Sequence, residues 1–485
     1  MNKSLYDQKT TFYIKTFGCQ MNYADSEKIH RVLMQAGCLK TLDPTQADIV
    51  IINTCSVRQK GEDKVFGFIR EIRKFAETTG KHPIIGVTGC MTRKTGMAKR
   101  YLETPERDQV YNITLLDGNG NFWNWDDPLL LRSEDIDLVF RIEETGHLTK
   151  MLSVILGRDF GNDEKWEEYL KISQVSADGA SANVIIQTGC DNFCTFCIVP
   201  YTRGREFSRP IDEIADEVRK VVAEGAKEVT LLGQNVNSYG KLTKKKLWNE
   251  ATFAWGKTDE KTPFRELLDT LGGIAGLERI RFTSSNPHDM TQDILDAHFE
   301  ISALCPYLHF ALQSGSDAVL RRMNRKHSYQ DFKTQVNYLR SKNPLFSIST
   351  DIIVGFPGET MEEFEQTAAA MREMDFDYAF IARYSTRNGT TASKLEDDVS
   401  ASEKARRWSI LNDILRESVA KRLKMMMGRE EDILITGIGK DDTLVGRTRN
   451  FKEVYMPRSS EITVGSSVRA KIVGVDEWVL RGEVV

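Results

Sequence analysis

Three cysteines, Cys190, Cys194 and Cys197, fall in the spacing C-x3-C-x2-C within TGCDNFCTFCIVPYTRGREFSRP, residues 188–210. A tight loop of that spacing brings three thiolates around one metal centre and leaves a fourth corner open. Iron–sulfur clusters normally take four thiolates, yet the next cysteine along the chain is Cys305. Three ligands on a four-iron cluster leave one iron free for a substrate. Phe193 and Phe196, between the ligands, fit a shielded site, because apolar surroundings tune a cluster's potential. The competing reading is a zinc knuckle, which wants a fourth Cys or His close by; the loop offers none.

The spacing resembles the signature of radical S-adenosylmethionine (SAM) enzymes. In that class the open iron is chelated by the amino and carboxylate groups of SAM.

The chain has 485 residues, room for three domains of ordinary size. Its 40% hydrophobic and 28% charged content is that of a folded globular protein. A net charge of -4 gives no global basic field, so any contact with RNA has to come from local patches. No apolar run approaches the roughly 18 residues of a membrane-spanning helix. The first residues, MNKSLYDQKTTFYIKTFGC, lack the apolar stretch of a signal peptide. Eight cysteines in such a chain favour metal binding over disulfides. The expected location is the cytoplasm.

Residues 11–17 (TFYIKTF) alternate as a strand, closed by Gly18-Cys19. Residues 25–36 (DSEKIHRVLMQA) read as an amphipathic helix, with Asp25 as N-cap and Gly37 just past the end. A buried strand over 47–53 runs into Thr54-Cys55, a helix covers 62–75, and a strand over 83–90 ends in Cys90. Strand–helix–strand–helix–strand predicts a parallel α/β sheet. Cys19, Cys55 and Cys90 thus each lie just past the carboxyl end of a strand, 36 and 35 residues apart. In a parallel sheet those ends share one edge, where open α/β domains place their ligands. Three thiolates distant in sequence converge there as a second three-cysteine set; three buried structural cysteines are the plainer alternative. Cys38 and Cys305 fall outside both patterns and read as structural.

Glu103, Glu106 and Asp108 form a short acidic stretch, most simply solvated surface. Residues 111–133 are turn-rich and aromatic, with Asp117-Gly118-Asn119-Gly120 as a hairpin tip. They read as an inserted surface hairpin, whose Trp123 and Trp125 either pack or stack on bases. A short strand over 136–140 and a helix over 146–156 follow, then a polar, linker-like stretch over 161–179. From Ala182 a second strand–helix series begins. Its strands lie at 183–187, 228–232, 279–283, 308–312, 347–354 and 378–384, matching a partial (βα)6 barrel whose site is built at the carboxyl strand ends. A charged loop over 241–261 interrupts it; its Lys244-Lys245-Lys246 run is a solvated face or, more sharply, an RNA contact. A long helix over 401–427 leads into short alternating strands from Glu431 onward, a small all-β barrel.

Three strand ends of the central barrel are candidates to line a cofactor pocket. They are Gly233-Gln234-Asn235, then Gln313-Ser314-Gly315-Ser316, and Asp351 with Gly355-Phe356-Pro357-Gly358-Glu359. Glycines allow close backbone approach to a ligand, and polar groups can fix ribose hydroxyls and a carboxylate. Plain turns and a capped loop are the alternatives. Arg321, Arg322, Arg325, Lys326 and His327, with Arg203, Arg205 and Arg209, place positive charge near the barrel mouth. Arginine suits phosphate and carboxylate, and ion pairs with nearby acids are equally open. His309 and His327 read as packing or hydrogen-bonding residues.

With these pieces placed, nearly the whole chain resembles the methylthiotransferase family of radical SAM enzymes. The resemblance rests on FGCQMN, NTCSVR and GC around Cys19, Cys55 and Cys90, then the radical-SAM core, then a terminal barrel similar to a TRAM domain. QTGCDNFCTFCIVPYTRGREFSRP and LLGQNVNSYG are most similar to the tRNA branch. The implied fold class is α/β: an N-terminal parallel α/β domain over 10–158, a partial (βα)6 radical-SAM barrel over 176–425, and a small TRAM-like RNA-binding β-barrel over 428–485. The implied cofactors are two [4Fe-4S] clusters, on Cys19, Cys55 and Cys90 and on Cys190, Cys194 and Cys197, together with SAM. Gly233, Gln234, Asn235, Gln313, Ser314, Asp351 and Gly355 are expected to hold SAM. At Gly233-Gln234-Asn235 the family class often carries a Gly-Gly-Glu type turn, and here Gln and Asn replace the acid.

The resemblance implies that an electron from the second cluster cleaves SAM to a 5′-deoxyadenosyl radical. That radical abstracts hydrogen from carbon 2 of an isopentenylated adenosine at tRNA position 37, next to the anticodon. Sulfur carried on the first cluster is inserted, and a second SAM supplies the methyl group. The implied partners are a tRNA anticodon stem-loop, an electron donor and a sulfur donor. Arg203, Arg205, Arg325, Arg447, Arg449 and Phe451 are the expected RNA contacts, the last three falling together around a TRNFK segment that mixes charge with a stackable ring. A ribosomal-protein aspartate or threonylcarbamoyl-adenosine is the alternative substrate. A non-enzymatic iron–sulfur RNA-binding protein is the alternative class, against which a structural cluster gains nothing from an open iron.

Overall fold

The computed structural model describes residues 9–55, 59–92, 129, 133–157, 160, 169–172, 179–241 and 261–485. The acidic stretch at Glu103, Glu106 and Asp108, nearly all of the 111–133 hairpin with Trp123 and Trp125, and the Lys244-Lys245-Lys246 run lie outside the described residues. The chain divides into two compact units, the first of Met1–Val175, Thr188–Asp191 and Ile198–Arg205, the second of Ser176–Gln187, Asn192–Cys197 and Glu206–Val485.

The first unit holds a sheet of β1 (Thr11–Thr16), β2 (Leu39–Lys40), β3 (Ile49–Thr54), β4 (Ile84–Gly89) and β5 (Leu138–Val139). Their order is β2-β1-β3-β4-β5, and every pairing is parallel. β3 (IVIINT) and β4 (IIGVTG) are buried along their whole length, as strands covered on both faces must be. Val50, Ile52, Ile85 and Val87 pack against Val65, Ile69 and Ile72 of helix Gln59–Thr79. Cys38 is buried, as expected of a structural cysteine.

Two expectations are corrected in this unit. The first helix spans Gln20–Gln35 and its N-cap is Cys19, so Asp25 lies mid-helix and fully buried instead of capping. The earlier start follows from Asn22, whose Oδ1 accepts from the Cys19 backbone N–H at 3.2 Å and satisfies an otherwise orphaned donor. The 161–179 stretch is more than a linker where it is described. Tyr169, Leu170 and Ile172 are buried, and the Lys28 ammonium donates to the Tyr169 carbonyl at 2.9 Å.

The second unit begins with β6 (Ser181–Ile185), followed by a short ribbon of β7 (Gln187–Thr188) and β8 (Phe207–Ser208). The barrel continues through β9 (Glu228–Leu232), β10 (Arg279–Phe282), β11 (Tyr307–His309), β12 (Ser347–Val354) and β13 (Tyr378–Arg383). They form parallel sheets β10-β9-β6 and β11-β12-β13, joined by bridges Ile280↔Leu304 and Ser285↔Phe310. All six barrel strands expected from the sequence are present. β11 is shorter than expected: its ladder to β12 stops at His309, and beyond it the pairing continues as the isolated bridges Ser285↔Phe310 and Gln313↔Ile352. Helices such as Ile211–Ala223, Pro263–Gly272 and Met361–Met374 cover the outside through one large apolar core.

Helix Ala401–Lys424 leads to β14 (Glu430–Ile438), β15 (Leu444–Thr448), β16 (Glu453–Met456), β17 (Ser467–Val475) and β18 (Leu480–Val484). They close as β14-β15-β16-β18-β17, with register shifts at Ile435/Gly437 and Ile472/Gly474 where the strands bend. Closure removes the exposed edges that a small sheet would present.

Candidate active site

In the first unit, β1, β3 and β4 are adjacent, and Thr54 pairs with Gly89, so the turns carrying Cys19, Cys55 and Cys90 leave the same sheet edge. Glycine is required at two of these turns. A Cβ on Gly18, at φ 138°, would lie 2.8 Å from the Cys55 Cβ. One on Gly89, at φ 95°, would lie 2.3 Å from the Thr54 carbonyl oxygen. Asn22 and Asn53 clasp the turns together. Asn22 donates to Asn53 Oδ1 and to the Thr54 carbonyl, both at 3.1 Å, and Asn53 donates to the Asn22 carbonyl at 2.7 Å. The three thiols differ in exposure: Cys19 is exposed, Cys55 half-buried and Cys90 buried. Among the described residues no three Cys, His, Asp or Glu side chains close on a single metal ion. A four-iron cluster holds its thiolates wider apart than one ion does, and the glycine-lined edge with its three thiols suits such a group.

Behind this edge is a polar cluster invisible in the sequence. Arg203 Nη2 lies 2.5 Å from Asp25 Oδ2, and the Tyr169 hydroxyl donates to the other Asp25 oxygen. All three residues are buried. Arg203, expected as an RNA contact, is therefore held inside the fold: an acid from the first helix claims its guanidinium.

Around the second cysteine set, Gly189 has φ 78°, and a Cβ there would lie 2.1 Å from the Arg205 carbonyl oxygen. The Cys190 N–H donates to the Gly204 carbonyl at 3.2 Å, and Arg205 pairs with Asp191 at 2.8 Å. In the second unit the Cys197 N–H donates to the Cys194 carbonyl at 2.9 Å, and Thr195 is anchored to the Met323 carbonyl at 3.0 Å. Phe193 takes the left-handed region at φ 47°, a strained choice for an aromatic residue, and the Asn324 amide holds its carbonyl at 3.0 Å. Arg325 Nη1 is 3.5 Å from the Cys194 sulfur, while its Nη2 donates to the Ala311 carbonyl at 2.7 Å. A guanidinium donating to a ligand sulfur is what a thiolate-bound cluster accepts, so these residues fit the group. Arg325, expected as an RNA contact, thus has its guanidinium taken up by the Cys194 sulfur and the Ala311 carbonyl.

The strand-end residues divide. A Cβ on Gly233 would meet Gln187 Cγ at 2.7 Å; Gln187 in turn donates to the Asn235 carbonyl at 2.5 Å. Asn235 Nδ2 donates to Asp289, whereas Asn235 Oδ1 and the buried Gln234 Oε1 have no hydrogen-bond partner among the described residues. Buried acceptors left open in this way mark a place for a ligand's donors. Ser316 Oγ and His327 Nδ1 are open in the same sense, and burial followed by the Arg325 charge lowers the His327 imidazole to about 3, keeping it neutral. The Asp351 carboxylate is half-exposed and 3.1 Å from His309 Nε2. His309 Nδ1 in turn pairs with Ser349 Oγ at 2.9 Å.

Ser314 and Gly355 are tied into the protein's own packing. Ser314 is fully buried, and its hydroxyl is paired with Thr367 at 3.1 Å and accepts from the Ser316 N–H. Gly355 packs on the Lys404 stem, where a Cβ would meet Cγ at 2.4 Å, and its N–H donates to Glu359 at 2.5 Å.

The TRNFK segment is corrected too. The Phe451 ring stacks on Tyr307 at 4.4 Å, and the Arg447 guanidinium lies 4.5 Å over Phe451. Arg449 Nη1 donates to the Glu278 carbonyl at 3.1 Å, and Lys452 pairs with buried Asp377. Arg281 reaches up to the Thr448 and Arg449 carbonyls at 2.9 and 2.7 Å while bonding Glu228 at 2.8 Å. Arg447, Arg449 and Phe451 therefore seat the small barrel on the floor of the large one. The sequence displays their charge and ring, and hides the acid, aryl and carbonyl partners waiting on β9, β11 and the loops beside them.

A partial parallel barrel carrying C-x3-C-x2-C, joined to a sheet with three more thiols on one edge and to a closed small barrel, defines a radical SAM enzyme of composite build. Comparison with known families agrees. Residues 184–371 match the Radical SAM superfamily, 11–111 the uncharacterized protein family UPF0004, and 424–485 the TRAM domain. The chain is 38% identical over 474 residues to a tRNA-2-methylthio-N(6)-dimethylallyladenosine synthase of Clostridium botulinum (strain Okra / Type B1), covering 97% of this chain and 96% of that one. It is 38% identical over 491 residues to the Clostridium novyi (strain NT) protein of the same name, covering 100% and 98%. The chain belongs to the methylthiotransferase family of radical SAM enzymes, in the branch of those synthases. Among solved structures it is similar in fold to the radical SAM methyltransferase TsrM from Kitasatospora setae, with TM-score 0.51, 12% identity, and coverage of 80% of this chain and 75% of that one. Among the described residues no helix is long and apolar enough to cross a membrane.

Proposed function

We propose that this chain adds a methylthio group to carbon 2 of N6-isopentenyladenosine at position 37 of tRNA, beside the anticodon. The observation that carries the reading is the pair of three-cysteine sets, each with glycines in the adjoining turn where a side chain would collide. Bound there, one [4Fe-4S] cluster supplies the electron that cleaves SAM, and the other supplies the place from which sulfur is delivered. Cys190, Cys194 and Cys197 would hold the SAM-cleaving cluster, and Cys19, Cys55 and Cys90 the sulfur-delivering one. Phe193 and Phe196 shield the Cys190, Cys194 and Cys197 set from water. Arg325 donates to the Cys194 sulfur and steadies its charge. Gln234 Oε1 and Asn235 Oδ1 are open to accept from the SAM amino group. The glycines at 18 and 89 let backbone and thiols approach a bulky group.

The domains on this reading run over 10–158, 176–425 and 428–485, and the location is cytoplasmic. The reaction also needs an electron donor and a sulfur donor. The test is tRNA from a bacterial strain lacking its own methylthiolation enzyme, with this chain expressed in it. The reading predicts the methylthio form of isopentenyladenosine in digested tRNA; isopentenyladenosine left wholly unconverted contradicts it. The three-thiol sheet edge, in a chain that also carries an intact C-x3-C-x2-C loop, favours this reading over a structural iron–sulfur protein.

A further inference from the structure

β13 reads YAFIAR, and its side chains alternate strictly. Ala379 and Ile381 join the apolar core against the helices, which turns Tyr378 and Phe380 to the interior face of the barrel. Register fixes their neighbours there: Tyr378 is paired with Ser349, and Phe380 with Asp351. Phe380 also lies edge-on to His309 at 5.8 Å.

These rings are not packed away. Tyr378 is 45% and Phe380 46% exposed, although Phe310, Phe332, Phe346 and Phe364 of the same unit are fully buried. Tyr378 and Phe380 meet at 4.9 Å, and Trp478 of the small barrel continues the patch at 6.2 Å from Tyr378. Single exposed rings are ordinary on a protein surface; two touching rings on the inner face of a barrel, Tyr378 and Phe380, form a binding wall. Its neighbours are polar, with the His309–Asp351 pair at 3.1 Å alongside. The lumen therefore offers an apolar wall next to a carboxylate and an imidazole. An adenine bearing an aliphatic group on its N6 presents the matching pattern, an apolar arm attached to a hydrogen-bonding ring.

We propose that Phe380 and Tyr378 form the wall that receives the five-carbon isopentenyl arm of the substrate adenosine and so select it. The inference rests on the function proposed above. A polar threonylcarbamoyl arm would set a carboxylate and a hydroxyl against these rings, with the Asp351 carboxylate beside them repelling it. An unsubstituted adenosine would leave the rings in water. Apolar pockets discriminate by modest factors, so the effect expected of the wall is roughly 10- to 100-fold.

The experiment measures binding of reconstituted full-length protein to anticodon stem-loops that differ only at one nucleoside: isopentenyladenosine, adenosine or threonylcarbamoyl-adenosine. Wild type is expected to prefer the isopentenyl loop by roughly 10-fold or more. Phe380→Ser should erase most of that preference, Tyr378→Ser part of it, and Phe380→Leu, which keeps apolar bulk, should retain most of it. An unchanged preference in Phe380→Ser overturns the proposal. Weakened SAM binding in Phe380→Ser, with the RNA preference intact, also overturns it and assigns the wall to the cofactor. Wild type that methylthiolates none of the three loops while still cleaving SAM overturns the functional reading and this inference together.

Discussion

Arg203 and Asp25 form a buried ion pair at 2.5 Å, joining the chain just past the second cysteine set to the helix that begins just past Cys19. Tyr169 hydrogen-bonds the same carboxylate, and Asp25 in turn holds the Arg203 guanidinium strongly protonated against the opposing effect of its burial. Removing one partner strands a charge without water. Arg203→Met should cost about 3–5 kcal/mol of unfolding free energy, and Asp25→Leu/Arg203→Met together far less than the two singles summed. Urea titration of the four proteins checks this, and additive losses would contradict it.

Separate ligand sets predict separable losses. Cys90→Ala should remove about half of the iron and acid-labile sulfide while SAM cleavage survives, and Cys194→Ala should remove the other half together with SAM cleavage. Iron and sulfide assays beside chromatographic detection of 5′-deoxyadenosine decide it. Full iron content in Cys90→Ala would refute a cluster at the sheet edge.

Arg325 donates to the Cys194 sulfur at 3.5 Å. Outer partners of metal ligands typically matter by about 10- to 100-fold in affinity or activity. Arg325→Gln should slow SAM cleavage by that order and move the cluster's reduction potential to more negative values, with Arg325→Lys intermediate. Potentiometry followed by electron paramagnetic resonance reads the shift; an unmoved potential would contradict the contact.

Much of the architecture was legible in the sequence because the strands of a parallel sheet are buried runs with glycine at their ends. IVIINT ending at Cys55 and IIGVTG ending at Cys90 announce both the strand and the thiol at its tip. The long-range polar partners were not legible. Nothing local in YTRGR says that Arg203 is claimed by Asp25, and nothing in TRNFK says that Phe451 finds Tyr307. Asp25 looked like a helix cap because Asn22, the residue that makes Cys19 the cap, is not a conventional signal at that position.

The docking role of Phe451 separates the two readings of that segment. Phe451→Ala should lower stability by about 2 kcal/mol, since a half-buried ring loses its stack on Tyr307. Affinity for the RNA stem-loop should stay within about twofold of wild type. Filter binding and thermal melting decide between them, and a large loss of affinity with unchanged stability would restore Phe451 as an RNA contact.

His298 gives a pH dependence. It is buried between Phe282 and Phe346, its Nδ1–H donates to the Cys305 carbonyl at 2.9 Å, and burial lowers its pKa to about 4. The folded form therefore stays neutral where the unfolded chain, at about 6.5, gains a proton. Stability is fully present above about pH 6.5 and falls by about 1.4 kcal/mol per unit on acidification towards pH 4. Between pH 6.5 and 5 the wild type should lose about 2 kcal/mol more than His298→Gln does. Equal losses in denaturant titrations at the two pH values would contradict this.

The central claim is the chemistry on the nucleoside. Anaerobically reconstituted protein, given SAM, a reductant, sulfide and tRNA bearing isopentenyladenosine, should produce a nucleoside heavier by one methylthio group in place of one hydrogen, read by mass spectrometry of the digested RNA. Isopentenyladenosine of unchanged mass, recovered from a reaction in which SAM is cleaved, would leave the radical machinery standing and contradict the substrate.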